Sequence, residues 1–207
     1  MSQLMDFMRA QELLRKYGIN SARSSYVKSA SEAVRFSGGK PIVMKVLSQK
    51  ALHKSKSGLV KLKIYTEKDI SSAFSYLSSR ARALNLGNYK IIAQEMVESG
   101  TEIIIGGNVD QQFGKMILLG LGGVYVEIFK DVALRVCPIS RYDARSMIQQ
   151  LKSSGIIAPD VRRERMVESV LLKVSRMLVE NEISELDLNP IILTGNGYTA
   201  VDLRIMK

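Results

Sequence analysis

Side chains able to do chemistry gather near the carboxyl terminus, where Glu185-Leu-Asp-Leu-Asn-Pro190 and Val201-Asp-Leu-Arg204 flank Thr194-Gly-Asn-Gly197. Asn-Gly is the strongest short signal for a β-hairpin. With either Asn196-Gly197 or Gly195-Asn196 as the two-residue loop, Asp187 and Asn189 project from the same face as Asp202 and Arg204, because strand side chains alternate. In the second register Asn189 lies directly across from Asp202, with β-carbons about 5 Å apart. Such a pair of side-chain oxygens suits Mg2+, which takes one or two protein oxygens and completes its octahedron with water and phosphate. On the hairpin alone, the favoured reading is a solvated face with an Asp187–Arg204 ion pair. A three-residue loop would put Asn189 and Asp202 on opposite faces and end the metal reading.

A second set lies in the first half of the chain. Lys45 sits inside the apolar run Ile42-Val-Met-Lys-Val-Leu47, on the face shared by Val43 and Leu47. An ammonium there either reaches the rim or meets an anion, since burial without a partner is costly. The basic loop from Ser48 to Gly58 follows, with hydroxyls, backbone N–H groups and three lysines that suit a phosphate chain, although its single glycine makes it weaker than a P-loop. It contains His53, the only histidine in the chain, which excludes a multi-histidine metal site and any histidine-based triad with a second histidine. Cys137, also single, precedes Pro138 and reads as a small buried hydrophobe. Gly120-Leu-Gly-Gly123 lacks the third glycine of a dinucleotide fingerprint and reads as a tight turn, or as backbone brought close to a phosphate or a partner's loop.

These residues belong to a chain of 207 residues with 46% hydrophobic and 24% charged residues, values of an ordinary globular protein. A formal charge of +10 asks for an anionic partner: nucleic acid, a membrane surface or a small ligand. The basic residues are spread along the chain, tryptophan is absent, and no nucleic-acid reader motif accompanies them. No run of 18 apolar residues and no signal-peptide block is present, so a cytoplasmic protein without membrane association is expected.

Element signals alternate between helix and strand. Residues 1–18 form a helical stripe closed by Gly18; Ser29-Ala-Ser-Glu32, Thr66 to Asp69 and Ser140 to Asp143 are capping-box patterns; residues 162–180 form the longest helix, with Met166, Val170, Val174 and Met177 on one side. Strands are expected at 42–47, 59–64 (Val60, Leu62 and Ile64 inward), 89–97, 101–105, 115–119, around Val126 and Leu134, and in the closing hairpin. The expected fold class is α+β, in two lobes over 1–95 and 96–207.

Together PIVMKV (41–46), LHKSKSG (52–58), QEMVESGTEIIIG (94–106), DQQFG (110–114), GLGGVYVEIFKDVALRV (120–136), ELDLNP (185–190) and AVDLRI (200–205) resemble the β subunit of ADP-forming acetyl-CoA synthetase, an ATP-grasp protein whose two lobes clamp a nucleotide. Succinyl-CoA synthetase β subunits resemble it more distantly. The resemblance implies that Lys45 contacts nucleotide phosphates and that Ser55, Ser57 and Gly58 lie in the loop covering them. It implies that the backbone of Glu95, Met96 and Val97 reads adenine and that Glu102 holds the ribose. Asn189 and Asp202 match the magnesium ligands, Asp187 an acidic position near the transferring phosphoryl group, and His53 a phosphate-carrying histidine. Gly122, Gly123 and Glu127 match contacts for a partner's phosphohistidine segment, and Arg135 a residue balancing phosphate charge. The family often reads H-K-S-D-x-G-G in the loop, whereas here Lys56 replaces the acid and Leu59 the second glycine. The implied function is interconversion of acyl-CoA, ADP and phosphate with acid, ATP and CoA, using Mg2+ and ATP/ADP, in an α2β2 heterotetramer with a CoA-binding α subunit. The competing readings are a basic nucleic-acid-binding protein without enzymatic activity and the ATP-grasp subunit of a related ligase such as succinyl-CoA synthetase.

Overall fold

The computed structural model describes residues 3–48, 58–123, 131–195 and 197–207. Helix α1 (Phe7–Lys16) starts where the Asp6 carboxylate accepts the Met8 N–H at 3.0 Å, and it buries Phe7, Ala10 and Leu14. Chain contacts divide the protein into two units, residues 22–96 and residues 1–21 with 97–207. The first 21 residues thus group with the carboxy-terminal half, unlike the expected 1–95 lobe. The cause is long-range pairing: Leu4 bridges Met206, the Gln3 N–H donates to the Lys207 carbonyl at 2.8 Å, and Ser21 bridges Ala200.

In the unit spanning 22–96, β1 (Ser24–Val27), β2 (Ile42–Leu47), β3 (Val60–Ile64) and β4 (Lys90–Glu95) form an antiparallel sheet in the order β1-β4-β2-β3. Helices α2 (Ala30–Ser37) and α3 (Glu67–Ala83) begin at Ser29 and Thr66, whose hydroxyls accept the Glu32 and Asp69 N–H groups. Ile70, Ala73, Leu77 and Ala81 of α3 enclose the core with Ile42, Met44, Val46, Ile91 and Ala93. The expected inward Leu62 is instead 64% exposed. Lys63 takes φ +56°, and the β2–β3 register slips between Ile42↔Ile64 and Met44↔Lys61, so a bulge carries one extra residue and breaks the alternation.

In the other unit, β5 (Thr101–Asp110), β6 (Gly114–Leu121), β7 (Val132–Val136), β8 (Glu185–Leu193), β9 (Tyr198–Ala200) and β10 (Leu203–Met206) build an antiparallel sheet in the order β10-β8-β5-β6-β7, with β9 also on β8. Asp110 shapes the β5–β6 turn by accepting the Gln112 and Phe113 N–H groups at 2.8 and 2.9 Å. Helices α4 (Arg141–Gln150), the short α5 (Ser154–Ile157) and α6 (Val161–Glu180) pack on one face. The buried stripe of α6 is Val167, Val170, Leu171, Val174, Met177 and Leu178; Met166 is only half-buried, one position off the expected stripe. Against it lie Ile103, Ile105, Ile117, Leu119, Leu186 and Leu188, all buried. Buried Glu168 ties α6 to α4 through Arg145 at 2.9 Å and Arg141 at 3.6 Å. At the start of β7, Asp131 accepts the Lys152 and Ser153 N–H groups at 2.9 and 2.8 Å.

Candidate functional site

The candidate residues divide between the units. In the carboxy-terminal unit the hairpin takes the second of its two registers: Leu203 pairs with Leu188, Ile191 with Ala200, and the Thr194 N–H donates to the Gly197 carbonyl at 2.8 Å. Asn189 therefore stands across from Asp202, and its N–H donates to the Asp202 carbonyl at 3.2 Å. Leu186 and Leu188 are buried on the helix-covered face, which sends Asp187 and Asn189 to the opposite face along with Asp202 and Arg204. The Arg204 guanidinium is 3.7 Å from Glu185, so this ion pair engages the carboxylate beside its cross-strand partner Asp187. Asn189 is exposed and Asp202 half-buried, and Asp202 Oδ1 accepts the Leu203 N–H at 3.1 Å.

Next in the sheet, Gly106 of β5 pairs with Asp187, and four residues earlier Glu102 lies on the same face. Glu102 is exposed, while its neighbour Ile103 is fully buried on the other side. Gly122 closes the β5–β6 ladder by donating its N–H to the Glu102 carbonyl at 2.7 Å. Glu102, Asp187, Asn189 and Asp202 thus share one sheet face. This acid-and-amide set fits magnesium, a hard cation that keeps much of its water and needs few protein oxygens; Asn189 and Asp202 would hold it. Among the described residues no three His, Cys, Asp or Glu side chains cluster as a metal cage.

Arg135 is not on that face. It pairs with buried Ile117 across β6–β7, and its guanidinium donates to Ser146 Oγ at 2.9 Å and Gln150 Oε1 at 3.0 Å on α4. Strand alternation turns it to the helix side, where its guanidinium is engaged by α4, apart from the face that carries Asn189 and Asp202. Cys137 is half-buried, and burial pushes its thiol above the ordinary range, with the Ser175 hydroxyl acting the other way. A thiol so shifted is a poor nucleophile at neutral pH.

In the unit spanning 22–96, Lys45 occupies β2 between Val60 of β3 and Ile92 of β4, on the face away from the α3 core, and is 5% exposed. Gly58 follows the loop and adopts φ +70°, which favours glycine; a β-carbon there would also lie 2.9 Å from the hydroxyl at the tip of the exposed Tyr76 side chain. Glu95 ends β4, with its carboxylate 3.1 Å from Arg23, whose guanidinium stacks 4.2 Å from the Phe36 ring centroid and donates to the Phe36 carbonyl at 3.0 Å. The Glu95 and Met96 N–H groups donate to the Arg23 and Pro41 carbonyls at 2.9 and 3.2 Å. Arg23 had no sequence signal: it stands some 70 residues from the carboxylate it anchors. His53, Ser55, Ser57 and Glu127 lie outside the described residues.

A buried strand lysine thus lies in one α+β unit, and an Asp–Asn pair with a neighbouring carboxylate lies on the sheet of the other. The ATP-grasp domain model matches residues 1–206, and the chain belongs to the ATP-grasp family. It is 38% identical to the β subunit of ADP-forming acetate–CoA ligase I from Pyrococcus furiosus, over 95% of this chain and 89% of that one. Among solved structures it resembles the dinucleotide-forming acetyl-coenzyme A synthetase 1 of Candidatus Korarchaeum cryptofilum in complex with coenzyme A and Ca-AMPCP, with a TM-score of 0.89 and 36% identity, covering 99% of this chain and 93% of that one. A second structure of that enzyme holds coenzyme A and Mg-AMPPCP, with its phosphohistidine segment pointing towards the nucleotide binding site; the TM-score is 0.83 with 34% identity, over 98% and 92% of the two chains. No helix among the described residues is long and apolar enough to cross a membrane.

Proposed function

We propose that the chain is the nucleotide-binding β subunit of an ADP-forming acyl-CoA synthetase, which interconverts acyl-CoA, ADP and phosphate with acid, ATP and CoA through an acyl phosphate and a phosphohistidine. The observation that carries this reading is the hairpin register that sets Asn189 opposite Asp202 on the face bearing Glu102 and Asp187. Phosphoryl transfer asks a protein for positioning and charge stabilisation more than for covalent chemistry. Lys45 neutralises nucleotide phosphate, and the lysines of the following loop add to it. Asn189 and Asp202 would hold Mg2+, which would supply positive charge against that of the phosphates. Asp187 lies beside the transferring group, and Glu102 accepts the ribose hydroxyls. With the Glu95 and Met96 N–H groups engaged by carbonyls, the donor left to read adenine in that stretch is the Val97 N–H. The neutral imidazole of His53 attacks the γ-phosphorus of ATP, forming an N–P bond as the bond to the bridging oxygen breaks; ADP leaves with that oxygen and the ring proton goes to solvent, and the reverse step returns the phosphoryl group to ADP.

The name of the Pyrococcus furiosus relative, a β subunit, supports a separate α subunit; this reading gives that partner the CoA and acyl sites and the main phosphohistidine, in an α2β2 assembly. The excess of basic residues then has an anionic small molecule to serve, and no observation favours nucleic acid over it. The test is reconstitution. Alone the chain binds MgADP and forms no acyl-CoA from acetate, ATP and CoA; with a cognate α subunit it does. Complete turnover by the isolated chain, or failure to bind MgADP even in the complex, refutes the reading.

A further inference from the structure

We infer that Gly122 and Gly123 form a side-chain-free shelf that holds the Glu102 carboxylate in place for the two ribose hydroxyls, which makes Gly122 a positioning residue for the nucleotide's sugar. This rests on the reading of Glu102 as the ribose acceptor. Cross-strand β-carbons ordinarily stand about 4.5–5.5 Å apart. At this end of the β5–β6 ladder the chains come closer than two side chains permit. A β-carbon on Gly122 would lie 2.9 Å from both the carbonyl carbon and the β-carbon of Glu102, and 3.1 Å from its carbonyl oxygen. None of those atoms can swing aside, so an added methyl must push the β5 backbone and stretch the 2.7 Å bond from the Gly122 N–H to the Glu102 carbonyl. The carboxylate lies near the next residue: a β-carbon on Gly123, which has φ +74°, would stand 3.4 Å from Glu102 Oε2, in van der Waals contact.

The chemistry explains why such a shelf matters. A carboxylate that accepts from two vicinal hydroxyls must aim both oxygens at once, and binding groups tolerate only about 0.5 Å of misplacement. A long acidic side chain at a strand end takes its aim from the backbone that carries it, and a bare Gly122 lets β5 and β6 converge without shifting that backbone. Gly120, two residues earlier, does a different job. A β-carbon there would meet Val132 Cγ1 at 3.0 Å, the Asp131 carbonyl at 3.1 Å and Ile104 Cγ1 at 3.3 Å, so it serves the β6–β7 packing and not Glu102.

The experiment compares binding of ADP and 2′,3′-dideoxy-ADP, both with Mg2+, to the full chain. Hydrogen bonds to a charged group predict that the wild type prefers ADP by roughly 10-fold or more. Glu102→Ala should bring the two ligands within about 2-fold by weakening ADP alone, and Gly122→Ala should do the same while leaving dideoxy-ADP affinity unchanged. Gly120→Ala, crowded two residues earlier by Val132, Asp131 and Ile104 but not by Glu102, should keep the preference. Should Gly122→Ala fail to fold, Gly123→Ala is read in its place: on a backbone strained at φ +74° it sets a methyl 3.4 Å from Glu102 Oε2, and it should weaken ADP while leaving dideoxy-ADP affinity unchanged. A Gly122→Ala chain that keeps the wild-type preference while Glu102→Ala loses it overturns the inference and spares the Glu102 assignment. Loss of preference in Gly120→Ala as well also overturns it, by making the effect a general disturbance of β6. A wild type without preference overturns the Glu102 assignment and the inference with it.

Discussion

Replacing Asp202 by alanine should remove the magnesium-dependent part of nucleotide binding while barely touching the empty protein. The side chain is half-buried, and its bond to the adjoining Leu203 N–H at 3.1 Å is local, so its loss should change the stability of the unliganded chain by less than about 1 kcal/mol. Ligand at 100 times its Kd adds about 2.7 kcal/mol to the wild type. With an unfolding entropy of about 2.1 cal/mol/K per residue, a chain of 207 residues has about 0.4 kcal/mol/K, so that stabilisation raises Tm by about 6 °C. If Asp202 supplies one of two protein oxygens to the ion, its removal costs about 100-fold in affinity for MgADP; the same ligand concentration then adds only about 0.4 kcal/mol, or about 1 °C. Thermal-shift titration with ADP, with and without Mg2+, reads this directly. Arg204→Ala is the control, since it removes a cation from the same sheet face whose 3.7 Å pair with Glu185 contributes about 1 kcal/mol at most. Its ligand-induced shift should stay near 6 °C. A full magnesium-dependent shift in Asp202→Ala would refute the assignment of the hairpin as the metal site.

Three further outcomes follow from named residues. In the reconstituted complex, His53→Ala should abolish ATP formation from acetyl-CoA, ADP and phosphate while leaving MgADP affinity nearly intact, and unchanged turnover would remove the relay role. Gly58→Ala combines a left-handed φ of +70° with a contact 2.9 Å from the Tyr76 hydroxyl and should cost about 1–2 kcal/mol; adding Tyr76→Phe should recover the steric share, read by urea denaturation. Burial raises the Asp131 carboxyl, but the bonds it accepts from the Lys152 and Ser153 N–H groups, with the nearby Ser153 side chain, outweigh it and hold the pKa below the usual range. A depressed carboxyl stabilises the fold above its unfolded value near 4 and loses that contribution as the pH falls through the lower folded value. Asp131→Asn should therefore lower Tm at neutral pH and flatten its decline below about pH 4.

The fold was legible wherever the signal is local. The Ser29, Thr66 and Ser140 capping patterns mark the starts of α2, α3 and α4 because the bond satisfied lies within one helical turn. Where the outcome depends on distant partners, the sequence carries no trace of it. Nothing in residues 1–21 announces that Leu4 will bridge Met206 or that Ser21 will bridge Ala200, and so the amino-terminal helix was assigned to the half it precedes. β3 departs from its pattern for a second reason. Its alternation of lysine and apolar residues is a sound strand pattern, but one residue at φ +56° inserts a bulge, and Leu62 loses its place in the core.

The same period-two rule explains why Asn189 and Asp202 were readable and Arg135 was not. A two-residue turn fixes the parity of both hairpin strands at once, so a tight Asn-Gly signal between them decides which side chains share a face. Arg135 had no such anchor. Its face is set by pairing with Ile117 across β6, at the end of a segment whose length and turns give no parity, and there an arginine serves α4 as well as it would serve an anion. The glycines near Glu102 lie further still from what spacing can tell. GLGG is equally a turn, a phosphate cradle or a packing device in sequence; only the convergence of β5 and β6 separates Gly120, pressed toward β7, from Gly122, pressed against Glu102. Residue type proposes the chemistry here, and strand parity and backbone approach decide which of the proposed residues can take part in it.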